Sequence, residues 1–190
     1  MPIMIGEGEG AEFAPLSEGL HEAICVDVIE LGEVEYEGYE KKQKVAIIWQ
    51  VDEQKENGHR FEPSKWYNRT LADGAKLREH LEQWRGRPFS EADLEAIREK
   101  QYDLEKITGQ QAQLQIFHKT KKGRIYAEVE SVLPPAKGQQ IAAVDYQRSD
   151  RYLKYAPDAA VVEAVDQAVA TMTAPAMAKP PVLTEDDIPF

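Results

Sequence analysis

One cysteine, no basic residue among the first forty positions and no long apolar run set the limits of this 190-residue chain. Cys25 alone forms no intrachain disulfide and no cysteine-rich zinc site, as expected in a reducing compartment. No stretch approaches the roughly 18 apolar residues of a membrane-spanning helix, and mean hydropathy is −0.55. The start, Met1-Pro-Ile-Met-Ile-Gly, leads into glutamates without a basic region, so no secretory signal is expected. A cytoplasmic protein with no membrane partner is the expectation. Catalytic signatures are missing too. There is no P-loop, no GxGxxG before a helix and no GxSxG. His21, His59, His80 and His118 lack metal-ligand spacing, and Arg78-Glu-His-Leu-Glu does not match HExxH. Glu128 and Glu130 alternate along a strand pattern with no matching lysine or aspartate, which suits surface charge better than a nuclease metal site. No enzyme activity, metal or cofactor is expected.

What is present is unevenly charged. The net charge is −11, from 23 Lys and Arg against 34 Asp and Glu. Through Glu40 there are 11 acidic residues and no basic ones, and from Ala156 to Phe190 there are 6 acidic residues against Lys179. Lys41 to Tyr155 therefore holds 22 basic and 17 acidic residues. A local field of that sign permits a polyanionic ligand that the overall charge would disfavour.

The middle reads as five short strands with helices between the third and fourth. Gly19–Leu31 and Lys44–Val51 carry the Ile/Val content of strands, the second (KVAIIWQV) well buried. Asn57-Gly58 marks a turn before a third strand over His59–Leu71, with Pro63 at an edge or bulge. Leu77, Leu81 and Trp84 fall at helical spacing after a start near Asp73, and Ser90-Glu-Ala-Asp opens a second helix through about Lys100, with Leu94 and Ile97 inward. Gln111–Lys119 and Arg124–Leu133 are the fourth and fifth strands, joined by a basic turn. Mainly β, with helices at that point of the order, predicts a five-stranded OB-fold barrel; an SH3-like barrel or a small α+β sheet are the other architectures considered. The expected organisation is an acidic lead-in over 1–18, a barrel over 19–138, a basic and aromatic extension with a helix over 139–172, and an acidic, disordered Pro/Ala tether over 173–190.

Basic residues interleaved with aromatics are the pattern of single-stranded nucleic-acid binding, where rings stack on bases and cations meet phosphates. Three groups carry it: Arg60, Lys65, Trp66, Tyr67 and Arg69 in the third strand; Phe117, Lys119, Lys121, Lys122, Arg124 and Tyr126 across the last hairpin; and Tyr36, Tyr39, Lys41, Lys42 and Lys44 in the first inter-strand loop. Strand parity points Phe117, Lys119, Arg124 and Tyr126 outward while Leu114, Ile116, Ile125, Ala127 and Val129 point in. Packing under the helices is the competing role for the rings, and Trp49 and Trp84 fall on core stripes. A further cluster, Tyr146, Arg148, Arg151, Tyr152, Lys154 and Tyr155, either extends a DNA track or docks back on the body.

The last residues, Asp186-Asp187-Ile188-Pro189-Phe190, combine two carboxylates, a φ-restricting proline and a terminal ring. They resemble, position by position, the acidic tip of bacterial and phage single-stranded-DNA-binding proteins. The body, through YNRTLADGAKLREHLEQWRGRPF and GRIYAEVESVLPPAKG, is similar to replication-module ssDNA-binding proteins of tailed phages. The resemblance implies an OB fold over roughly Gly19–Gly138, sequence-nonspecific ssDNA binding in replication or recombination, and recruitment of replication or repair proteins by the tip. Because one OB barrel covers only about 4–16 nucleotides, coating a strand calls for a homo-oligomer or cooperative binding on DNA. The rival expectation is an interaction module or DNA mimic that captures tip-binding proteins without touching DNA.

Overall fold

The computed structural model describes residues 14–35 and 40–153. It is mainly β: five antiparallel strands, β1 (Gly19–Val34), β2 (Lys42–Val51), β3 (Ser64–Asn68), β4 (Gln111–Lys121) and β5 (Arg124–Leu133), form one open sheet in the order β3-β2-β1-β4-β5. Helices α1 (Lys76–Arg85) and α2 (Glu91–Arg98) and a 3-10 turn (Leu104–Ile107) fall between β3 and β4, as the sequence predicts. Among the described residues no helix is long and apolar enough to cross a membrane.

The long β1 serves two cores because it changes face. Ala23 and Cys25 lie in the larger core with Val45, Ile47, Trp49 and Leu114. A bulge between Cys25 and Asp27 inserts one residue, and since side chains alternate, one extra residue turns the following odd positions to the opposite side. Ile29 and Leu31 accordingly join a second cluster with Ala46, Ile48 and Tyr152. A further shift between Glu30 and Gly32, where Gly32 has φ 66°, turns Val34 to that same side. The paired β2 is buried on both faces, with Val45, Ile47, Trp49 and Val51 on one side and Ala46 and Ile48 on the other.

The helices close the larger core. Leu77, Leu81 and Trp84 are buried along α1. The Trp84 ring lies 6.1 Å from that of Trp49, and its indole N–H donates to the Gln111 carbonyl at 2.7 Å. Gly86, at φ 67°, ends α1, with Arg87 N–H reaching back to the Glu82 carbonyl. Ser90 and Asp93 form the reciprocal capping box of α2, and Leu94 and Ile97 pack on the core.

The second face is covered by the chain after Gly138. Gln111 holds Ile141 through both amide atoms, donating to its carbonyl at 2.9 Å and accepting from its N–H at 3.0 Å. The buried Gln50 does the same for Val144, at 2.8 and 2.9 Å. Asp27 then accepts from the Tyr146 hydroxyl and, bidentately, from Arg148, each at 2.8 Å. Tyr152, in the helical turn Asp150–Leu153, is buried beside Trp66 and donates to Ser64 at 2.8 Å. Of the two courses open to the basic and aromatic cluster, the described part docks back on the sheet, and the packed body runs past Gly138.

Candidate nucleic-acid interface

The β4–β5 hairpin carries the most exposed part of the predicted set. Lys122 and Gly123 form its two-residue turn with φ of 51° and 76°, the left-handed pair that matches strand twist. The register sets Lys121 opposite Arg124, Lys119 opposite Tyr126 and Phe117 opposite Glu128. Directly opposed residues share a face, so Phe117, Lys119, Lys121, Arg124, Tyr126 and Glu128 all lie on one side. The rings are open: Phe117 is 45% and Tyr126 49% exposed, and they stand diagonally across the ladder, at the spacing where large side chains can reach one another. Lys119 bonds Glu128 at 2.9 Å. That hydrogen bond raises the Lys119 ammonium pKa and lowers that of the Glu128 carboxyl. Lys121, Lys122 and Arg124 make no ion pair with any described residue.

The hairpin overhangs its neighbour. β1 pairs with β4 only as far as Gly19 opposite Ile116. Glu18 and Leu16 still bond His118, each at 2.7 Å, and among the described residues no strand but β5 pairs with β4 beyond that point. This corrects one expectation: Ile125, read as inward by parity, is 55% exposed. Val129 is in the core and Ala127 packs partly against it, as parity predicts. The same geometry exposes Leu20, which sits opposite Gln115 on the face of Phe117. Sequence reasoning passed it over, although its parity opposes that of Ala23 and Cys25.

The third-strand set is distributed differently. β3 is short and is flanked on both sides, so alternation exposes neither face. Tyr67 opposes Val45. It is 3% exposed and hydrogen-bonds His80 Nδ1 at 2.8 Å, so it presents no stacking surface. Burial drives its hydroxyl pKa upward. Trp66 turns to the other side, where its ring lies 6.4 Å from that of Tyr152. Lys65 opposes Ile47 and crosses from β3 to β5, donating to the Val129 carbonyl and lying 3.6 Å from Glu128. Burial lowers its ammonium pKa against the opposing pull of Glu128 and Glu130. Arg60 donates to the Ala142 carbonyl at 2.7 Å, and Arg69 is exposed but paired with Glu30. Most of this strand's cations and rings therefore hold the protein's own parts together.

The first-loop set sits at the far end of β1 from the hairpin overhang, since Lys42 and Lys44 oppose Val34 and Gly32. Lys41 lies 3.6 Å from Glu35, Lys42 is exposed, and partial burial, with Lys42 nearby, lowers the Lys44 pKa. Tyr36, Tyr39 and the tip residues Asp186, Asp187, Ile188, Pro189 and Phe190 lie outside the described residues. Comparison with protein-family models and with curated proteins finds no match to this chain.

Proposed function

We propose that the chain is a sequence-nonspecific ssDNA-binding protein of the kind that phages use in replication and recombination. One observation carries the proposal: two half-exposed rings and two unpaired cations, Lys121 and Arg124, share one face of the overhanging β4–β5 hairpin, with Lys122 in the turn beside them. Stacking contributes about 1–3 kcal/mol per base whatever the base, so two rings beside phosphate-binding cations give affinity without sequence preference. The strand order supports an OB architecture, with β3 and β5 at the two ends of the sheet and Lys65 bridging them; in this reading the ends close into a partly open barrel. The acidic tip, by its resemblance, recruits replication or repair proteins, and coating a strand engages several copies. The net charge of −11 favours the rival reading, a DNA mimic that only captures tip-binding proteins.

A titration of labelled single-stranded and duplex oligonucleotides, read by anisotropy at low and physiological salt, separates the two. Trp49 and Trp84 are buried and Trp66 is covered, so an oligonucleotide label reports binding better than tryptophan emission. The expected result is preferential single-strand binding that weakens with salt. The log–log slope is about −3 if Lys119, Lys121, Lys122 and Arg124 each meet a phosphate. No binding at low salt would favour the mimic.

A further inference from the structure

The outer edge of β5 is open where the hairpin overhangs, and its sequence is complementary to itself. Lys65 reaches the Val129 carbonyl from β3, so Val129 turns its backbone groups away from β4. Alternation along an antiparallel strand turns those of Ala127 and Ile125 the same way, while Arg124, Tyr126 and Glu128 direct theirs to β4. Among the described residues no strand pairs with this side of β5 over positions 124–128. Unsatisfied edge groups beside a bare apolar side chain are a template for another strand.

We propose that the occupant is a second copy of this chain, joined by antiparallel β5–β5 pairing with Tyr126 on the two-fold axis. In that register Ile125 opposes Ala127 of the partner subunit, and the two exchange their free N–H and C=O groups, as do Ala127 and Ile125 of the partner subunit. The exposed Ile125 lies over a small residue that leaves it room. Arg124 falls opposite Glu128 of the partner subunit, giving two opposite-charge pairs related by symmetry. Neighbouring registers lose these matches. Centring on Ala127 requires the Val129 carbonyl, which Lys65 already occupies. Centring on Ile125 sets Arg124 against Tyr126 of the partner subunit and loses the match of Arg124 with Glu128, whose carboxylate already meets Lys119 and Lys65 of its own chain. Five residues from each copy make a small interface, of the weak, concentration-dependent kind.

The dimer does not depend on DNA binding, but it bears on it. Pairing at the edge leaves the outer face bare, and sets Phe117 and Tyr126 in one row with Tyr126 and Phe117 of the partner subunit, flanked by twice the number of cations. Two short platforms become one longer track.

Sedimentation of the full chain without DNA, from low to high micromolar concentration, tests the interface. The wild type is expected to reach twice the 21.5 kDa chain mass. Ala127→Pro removes an outward N–H that β4 does not use, and Arg124→Glu places like charges opposite each other; both are expected to sediment as monomers. Arg124 is exposed at the turn, so Arg124→Glu decides the matter if the circular dichroism of Ala127→Pro shows a fold defect. A wild type that stays monomeric, or a dimer that survives Arg124→Glu, overturns the interface. A dimer that forms but binds no single strand would leave this interface standing and remove the strand-binding function instead.

Discussion

Replacing Phe117 and Tyr126 together by alanine is expected to weaken single-strand binding by about 30-fold or more, with little change in stability. The magnitude follows from two stacking contacts at about 1–3 kcal/mol each, of which the lower bound already gives that factor. The stability expectation follows from exposure. Both rings are about half open and stand beyond the region where β1 supports β4, so truncation removes little packing, within about 1 kcal/mol. The salt slope should survive, because Lys119, Lys121, Lys122 and Arg124 remain. Anisotropy with a labelled oligonucleotide gives the affinity, and urea melts give the stability. An unchanged affinity would place the binding surface elsewhere, and a large loss of stability would make the rings structural.

Acidification from pH 7 to pH 5 is expected to lower folding stability by about 2 kcal/mol through His80 alone. The ring is buried, accepts or donates a hydrogen bond at the Tyr67 hydroxyl and faces Lys65 and Lys76. Burial first, and then those two ammonium groups, lower its pKa from 6.5 to about 4, with the Glu130 backbone pulling the other way. The folded pKa lies below the unfolded one, so the stabilising contribution is complete above 6.5 and is lost as pH falls towards about 4. In that window the unfolded chain takes up a proton that the folded ring refuses. The carboxylates with lowered pKa act at lower pH, where Glu128 loses the support of Lys119. Chemical denaturation of the wild type and His80→Gln at both pH values isolates the effect: the variant should show a much flatter dependence between pH 7 and 5. Equal slopes would remove His80 from the account.

How much of this was legible in the sequence varies element by element. KVAIIWQV reads as a well-buried strand, and β2 is buried, on both sides. The Ser90 cap and the Leu77–Leu81–Trp84 stripe are local signals that need no tertiary information, and both helices follow them. The exposure of Phe117 and Tyr126 followed from alternation within a single hairpin. Alternation failed where the ladder depends on neighbours. Ile125 has inward parity but lies past the end of the β1–β4 ladder, which stops at Gly19. The β1 bulges reverse the faces of a strand whose sequence shows no break. The cover over the second face was least visible: Gln50 holds Val144 across 94 residues, and an amide matched to a distant backbone leaves no periodic trace. For the same reason Trp66 and Tyr67 resembled a binding strip in sequence, while the cover and α1 flank them in the fold.

The central claim is that bases stack on the β4–β5 face. Ultraviolet cross-linking of the full chain to a thymine-rich single strand, with the attachment sites read by peptide mass spectrometry, tests it most directly. The account predicts adducts on Phe117 or Tyr126, suppressed by excess unlabelled single strand and by high salt. Adducts confined to other segments, or none under conditions where the strand is bound, would contradict it.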